Sequence, residues 1–144
     1  MPRVLTRRFG MIHIEDRDVI QFRYGLPGFE EHTRFTLISS AASSPLLFLQ
    51  SLDSPDLCFI TTPVDAVDPE YHLKLAPDDR RVFVLSNDLI VLAVVTAPEQ
   101  GAATANLLAP IVIDPRKRIG IQAVRLDSRY SHQQPLPKMS HACL

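Results

Sequence analysis

Long apolar runs, net charge, cysteine and tryptophan are all scarce in this chain, and each shortage narrows what it can be. The longest apolar run, residues 89–97, is interrupted by Thr96. It falls far short of the roughly 20 residues that cross a bilayer, so no membrane role is expected. Fifteen Lys and Arg against sixteen Asp and Glu leave a formal net charge of −1. A protein built to grip a bare phosphate backbone carries a clear basic excess, so direct nucleic-acid binding is not expected. The two cysteines, Cys58 in an apolar stretch and Cys143 beside the C-terminus, make no disulfide framework and suit a reducing, cytosolic setting. Residues 1–8 carry basic side chains with no apolar run behind them, and no signal peptide is expected. Five glycines are outnumbered by twelve prolines spread along the chain. An interior proline removes a helix hydrogen bond and clashes with the preceding turn, so long helices are excluded and short strands are not.

Reactive constellations are missing too. The carboxylate pairs Asp78-Asp79 and Asp53/Asp56 have no nucleophile or base signature beside them. His13, His32, His72, His132 and His141 are scattered, and the His141-Ala142-Cys143 tail lacks a second ligand pair at zinc spacing. There is no glycine loop to cradle phosphate and no nucleophile elbow. The expectation is a protein that is not an enzyme and holds no cofactor and no metal. Tryptophan is absent, and Tyr24, Tyr71 and Tyr130 stand isolated. The basic groups Arg7-Arg8, Arg80-Arg81 and Arg116-Lys117-Arg118 therefore lack the interleaved aromatics that stack bases, and they read as solvated turns. A small β-barrel RNA-binding module is the alternative reading.

What is present is a core. Of 144 residues, 46% are apolar, enough for one domain over residues 1–136, with residues 137–144 expected as a mobile polar tail. Residues 11–14 and 19–23 alternate apolar with polar, which turns Ile12, Ile14, Ile20 and Phe22 inward. In Gly25-Leu26-Pro27-Gly28-Phe29-Glu30, Pro27 fixes φ and Gly28 can take the positive φ of a type II turn. Residues 34–39, 46–51 and 57–62 follow as strands, the last two apolar at nearly every position and so covered on both faces. Residues 77–85 suit a short helix, with Pro77 in its first turn and Asp78 and Asp79 at the positive end of its dipole. Residues 89–96 read as the central buried strand, and residues 104–113 as two short strands with an irregular joint. After the turn at residues 114–117, the parity flip between Ala123 and Val124 in residues 118–126 suggests a β-bulge, which lets a sheet curl. The predicted architecture is mostly β: a small single-domain antiparallel β barrel with one short helix.

Four of these stretches, in this order, resemble the FliW family. They are Gly25-Leu26-Pro27-Gly28-Phe29-Glu30; the run from Phe48-Leu49-Gln50-Ser51 through Leu52-Asp53-Ser54-Pro55-Asp56-Leu57; Thr104-Ala105-Asn106-Leu107-Leu108-Ala109-Pro110-Ile111-Val112-Ile113; and Asp127-Ser128-Arg129-Tyr130-Ser131. The likeness covers roughly residues 10 to 136, and its third stretch, with Asn and Pro inside an apolar run, is the specific one. It implies a cytoplasmic flagellar assembly factor that binds flagellin in a chaperone-like way. The same family binds the carbon storage regulator CsrA, which represses flagellin translation, and the two partners exclude each other. The expected form is a monomer. The chain departs from the family at Ala66-Val67-Asp68-Pro69-Glu70-Tyr71, where bulky residues are usual, and at the short, arginine-containing Pro77-Asp78-Asp79-Arg80-Arg81. Its near-neutral charge is also weaker than the acidic balance that suits a basic partner.

Candidate partner contacts follow from this reading. Leu49, Gln50 and Ser51 either offer an edge strand to a partner segment or form a plain buried strand. Asp53 and Asp56 either meet CsrA arginines, with Glu30 and Glu31 adding to an acidic surface, or simply cap their turn. Asn106, beside Leu107, is either a contact presented at a strand end or the residue that holds the joint.

Overall fold

The computed structural model describes residues 2–83, 86–124 and 128–137, and a ring of strands closed on itself forms its centre. In chain order the strands are β1 (Arg3–Thr6), β2 (Gly10–His13), β3 (Ile20–Gln21), β4 (Arg34–Ser39), β5 (Leu47–Ser51), β6 (Cys58–Pro63), β7 (Ile90–Thr96), β8 (Thr104–Asp114), β9 (Ile119–Gln122) and β10 (Gln134–Pro135). The first two pair only with each other as a hairpin. From β3 to β9 each strand lies antiparallel to its chain neighbour, and the ring closes where β9 meets β3 in parallel at Ile119 and Gln21. The first half of the long β8 borders β10 and its second half borders β9.

Two short helices lie outside the ring, α1 (Val64–Val67) and α2 (Pro77–Val82). The predicted helix corresponds to α2, with Pro77 in its first turn as expected. It ends at Val82 rather than at Leu85, which lies outside the described residues. The other helix was not expected.

Inside the ring, Ile20, Phe22, Leu26, Phe35, Leu49, Leu92, Ile111 and Ile113 form one cluster. Phe22 and Phe35 meet edge-on with ring centroids 5.2 Å apart. The outer faces are covered in three places: by the hairpin through Phe9, which packs on Phe48; by α1 and the segment after it; and by α2. Double coverage explains why β5 to β8 are apolar at nearly every position, since both parities face other side chains.

The 25–30 turn forms as expected, with Gly28 at φ +87° and the Phe29 amide donating to the Leu26 carbonyl at 2.7 Å. Ile14, Ile20 and Phe22 are buried as expected, whereas Ile12 is only half-buried in the outlying hairpin. The irregular joint of residues 104–113 exists, but within one strand. Val94 pairs with Asn106 and Leu92 with Ile111, so Ala93 stands opposite the whole stretch from Leu107 to Pro110. This is where the sheet is bulged. At Ala123 and Val124 the strand has already ended, and Val124 is 44% exposed; Leu126 lies outside the described residues. In β9 the two isoleucines lie on the outer face. Ile119 and Ile121 pack outward under α2, and it is Gly120 that faces Phe22. The expected mobile tail falls outside the described residues from position 138 onward.

Candidate partner interface

Strand β5 is hydrogen-bonded to β4 on one side and to β6 on the other, so it offers no free edge, and the edge-strand reading of residues 49–51 is corrected. Their side chains are withdrawn as well, Leu49, Gln50 and Ser51 each being 0% exposed. They shape the β5–β6 turn from within. Gln50 Nε2 donates to the carbonyls of Ser51 and Leu57 at 3.0 and 3.2 Å, and Ser51 Oγ accepts the amides of Asp53 and Ser54, both at 3.0 Å.

The two aspartates of that turn have different surroundings. Asp53 accepts the amides of Thr33 and Arg34 and a two-pronged contact from the Arg34 guanidinium at 3.2 and 3.1 Å. Asp56 is 72% exposed and, among the described residues, reaches only Arg7, at 3.5 Å. Asp53 is thus occupied in ordering the turn, and Asp56 is presented to solvent.

Asn106 Oδ1 accepts the amides of Leu108 and Ala109 at 3.1 and 3.0 Å, which satisfies the backbone where β8 leaves its register. It also lines a cavity of about 310 Å³ at the barrel mouth with Leu26, Phe59, Gln122 and His132. Leu107 is buried, its carbonyl accepting the Tyr71 hydroxyl at 2.9 Å. Glu30 folds back to accept the Gly28 amide at 3.1 Å and lines a wider cleft of about 600 Å³ with Asp78, Asp79 and Tyr24, the last 70% exposed. Glu30, Asp78 and Asp79 come from distant parts of the chain, so the fold itself assembles this acidic cleft.

The basic groups do not converge in the same way. Arg81 pairs with Asp78 at 3.3 Å, Arg8 lies over the Phe48 ring at 5.1 Å, and Arg118 reaches the Asp16 carbonyl. Among the described residues no group of three or more His, Cys, Asp or Glu is placed to hold a metal ion. No helix of the described residues is long and apolar enough to cross a membrane.

One feature has no counterpart in the sequence reading, which took Tyr71 and Tyr130 as isolated. Their rings stack with centroids 4.4 Å apart. Burial first, and then the neighbouring Tyr130, push the Tyr71 phenol up to about 12. Tyr130 is moved the opposite way, chiefly by the hydrogen bond from Arg129 and then by the His72 amide. The stack walls a cavity of about 290 Å³ with Leu73, Leu108, Pro110 and Ala123. The sequence signal was the tyrosine of the Ser128-Arg129-Tyr130 stretch, but nothing local shows that it meets Tyr71.

Comparison with known proteins gives a consistent result. A family model described as FliW protein matches residues 3–136. A flagellar assembly factor FliW from Geotalea uraniireducens is 38% identical over 136 residues, covering 92% of this chain and 83% of the relative. One from Caldanaerobacter subterraneus subsp. tengcongensis is 33% identical over 135 residues, covering 91% and 90%. Among solved structures, a crystal structure of the flagellar assembly factor FliW superposes with a TM-score of 0.85 at 29% identity, covering 95% of this chain and 98% of that one.

Proposed function

The chain belongs to the FliW family, and from that premise we propose that it is a cytoplasmic flagellar assembly factor that binds flagellin and antagonises CsrA by exchanging one partner for the other. The observation that carries this reading is the family match across residues 3–136, nearly the whole barrel. Flagellin segments that become helical on assembly expose apolar faces beforehand, and a partner that covers them keeps the subunit fit for export. While flagellin occupies the protein, CsrA is free to repress flagellin translation. Once flagellin leaves, CsrA is taken up and synthesis resumes. Linkage requires each ligand to weaken the other by the same factor.

The acidic cleft of Glu30, Asp78 and Asp79, together with exposed Asp56, suits a basic RNA-binding partner. Asn106 at the barrel mouth remains a candidate contact. Leu49, Gln50, Ser51, Asp53 and Leu107 serve the interface by shaping the elements beneath it.

The test is a pull-down from native cytosol with the intact chain. The expected result is flagellin and CsrA in separate complexes, with CsrA lost and flagellin retained for Glu30→Lys/Asp56→Lys. A ternary complex, or recovery of neither protein, overturns the switch.

A further inference from the structure

Residues 71–75 run like a sheet strand that has no partner strand among the described residues. Tyr71, Leu73 and Leu75 are half-buried while His72 and Lys74 are exposed, the period-2 alternation of a strand. Yet among the described residues segment 71–76 joins no ladder. Its inner side is held firmly. Tyr71 is fixed by its stack on Tyr130 and its hydrogen bond to the Leu107 carbonyl, and Leu73 and Leu75 pack against the cluster of Phe83, Val112 and Ala123. The His72 amide donates to the Tyr130 hydroxyl at 2.9 Å, which pins the segment to the far wall of the cavity. A pre-ordered extended backbone costs a ligand little ordering entropy, and unpaired peptide groups are the usual template for an added strand.

The neighbouring cavity has an apolar floor of Leu108, Pro110 and Ala123. Among the described residues, the charged or titratable side chains on its rim are His72, Lys74 and Arg129, besides the two tyrosines, and no carboxylate lines it. Asp68 and Glu70 act on Arg129 from outside the cavity and offset part of its charge, whereas the ion pairs among the described residues do not include Lys74. This polarity is opposite to that of the Glu30 cleft.

We propose that segment 71–75 is a docking edge for an extended segment of a partner protein in which apolar and acidic side chains alternate. The segment adds as a strand beside residues 71–75. Its inward apolar side chains fill the cavity walled by Tyr71 and Tyr130, and its outward carboxylates stand across from Lys74 and His72 and beside Arg129. Backbone pairing supplies the affinity; the cavity and the cationic rim supply the selectivity. The inference goes beyond the family reading and holds whichever protein provides the segment.

The test uses the intact chain with three end-capped octapeptides: leucine alternating with glutamate, leucine alternating with lysine, and the leucine–glutamate composition rearranged to helical spacing. The leucine–glutamate alternation is expected to bind and to slow amide exchange at residues 73–75. The leucine–lysine peptide is expected to bind at least about tenfold more weakly. Lys74→Glu, an exposed change that leaves the Arg129–Tyr130 contact in place, is expected to reverse that preference with an unchanged melting temperature. Unaltered exchange at residues 73–75, equal binding of the lysine peptide, or tighter binding of the helically spaced peptide would each overturn the proposal.

Discussion

At Gly120 the requirement for glycine comes from packing. A Cβ built there would stand 2.5 Å from the Phe22 ring, which is 0% exposed and wedged edge-on against Phe35. The ring has nowhere to move, so Gly120→Ala is expected to lower stability by about 1–3 kcal/mol, read from the urea midpoint at unchanged slope. The two aspartates of the β5–β6 turn offer an internal contrast. Asp53→Ala strips two amides and a guanidinium of their acceptor and is expected to cost about 1–2 kcal/mol. Asp56→Ala, on an exposed pair, is expected to stay within about 0.5 kcal/mol. A charge reversal aimed at a partner therefore uses Asp56 and not Asp53, whose loss would disturb the turn itself. Asp114 adds a pH dependence. The Ser86 hydroxyl, and then the Lys117 and Arg116 amides, hold its carboxyl below the ordinary 3.8. A depressed folded value stabilises the protein fully above the unfolded carboxylate range, and that contribution is lost as pH falls through the lower folded value. Asp114→Asn is expected to flatten the fall in stability below about pH 4, measured by chemical denaturation across acid pH.

The elements differ in how openly the sequence declares them. Strands β4 to β7 were legible because each is a β-branched or aromatic run bounded by proline, serine or aspartate, and the 25–30 turn because Pro27 and Gly28 serve distinct steric needs. The orientation of β9 was not legible. Alternation alone does not say which face is covered, and here the outer face is roofed by α2, so Ile119 and Ile121 are half-buried there. The single turn of α1 is too short to carry a period, and β1 is disguised by its arginine and threonine. The edge reading of β5 failed because strand order is a property of the whole ring. The Tyr71–Tyr130 cavity was hidden for a related reason: it forms between segments that are remote in the chain. The irregular joint, by contrast, was visible through Asn106. Asn106→Ala leaves the Leu108 and Ala109 amides without their acceptor and is expected to cost about 1–3 kcal/mol, with faster exchange confined to those two amides.

For the molecule as a whole, a near-zero net charge conceals a separation of sign. An acidic cleft at Glu30, Asp78 and Asp79 and a cationic rim at His72, Lys74 and Arg129 belong to different cavities of one small barrel. Ionic strength should therefore distinguish the two proposed partners. Capture of CsrA is expected to weaken between about 50 and 500 mM salt, while an apolar contact with flagellin changes little, both read by titration of the purified proteins. Steep salt dependence of binding to RNA, with no affinity for flagellin, would instead favour a nucleic-acid module. The ring itself imposes an order in time. Among the described residues its only parallel seam joins β3, the first strand of the ring, to β9, the last. A ribosome must therefore deliver almost the entire domain before the two can meet. Until then the sheet stays unsealed and Phe22 and Phe35 lack the closed interior that withdraws them from water.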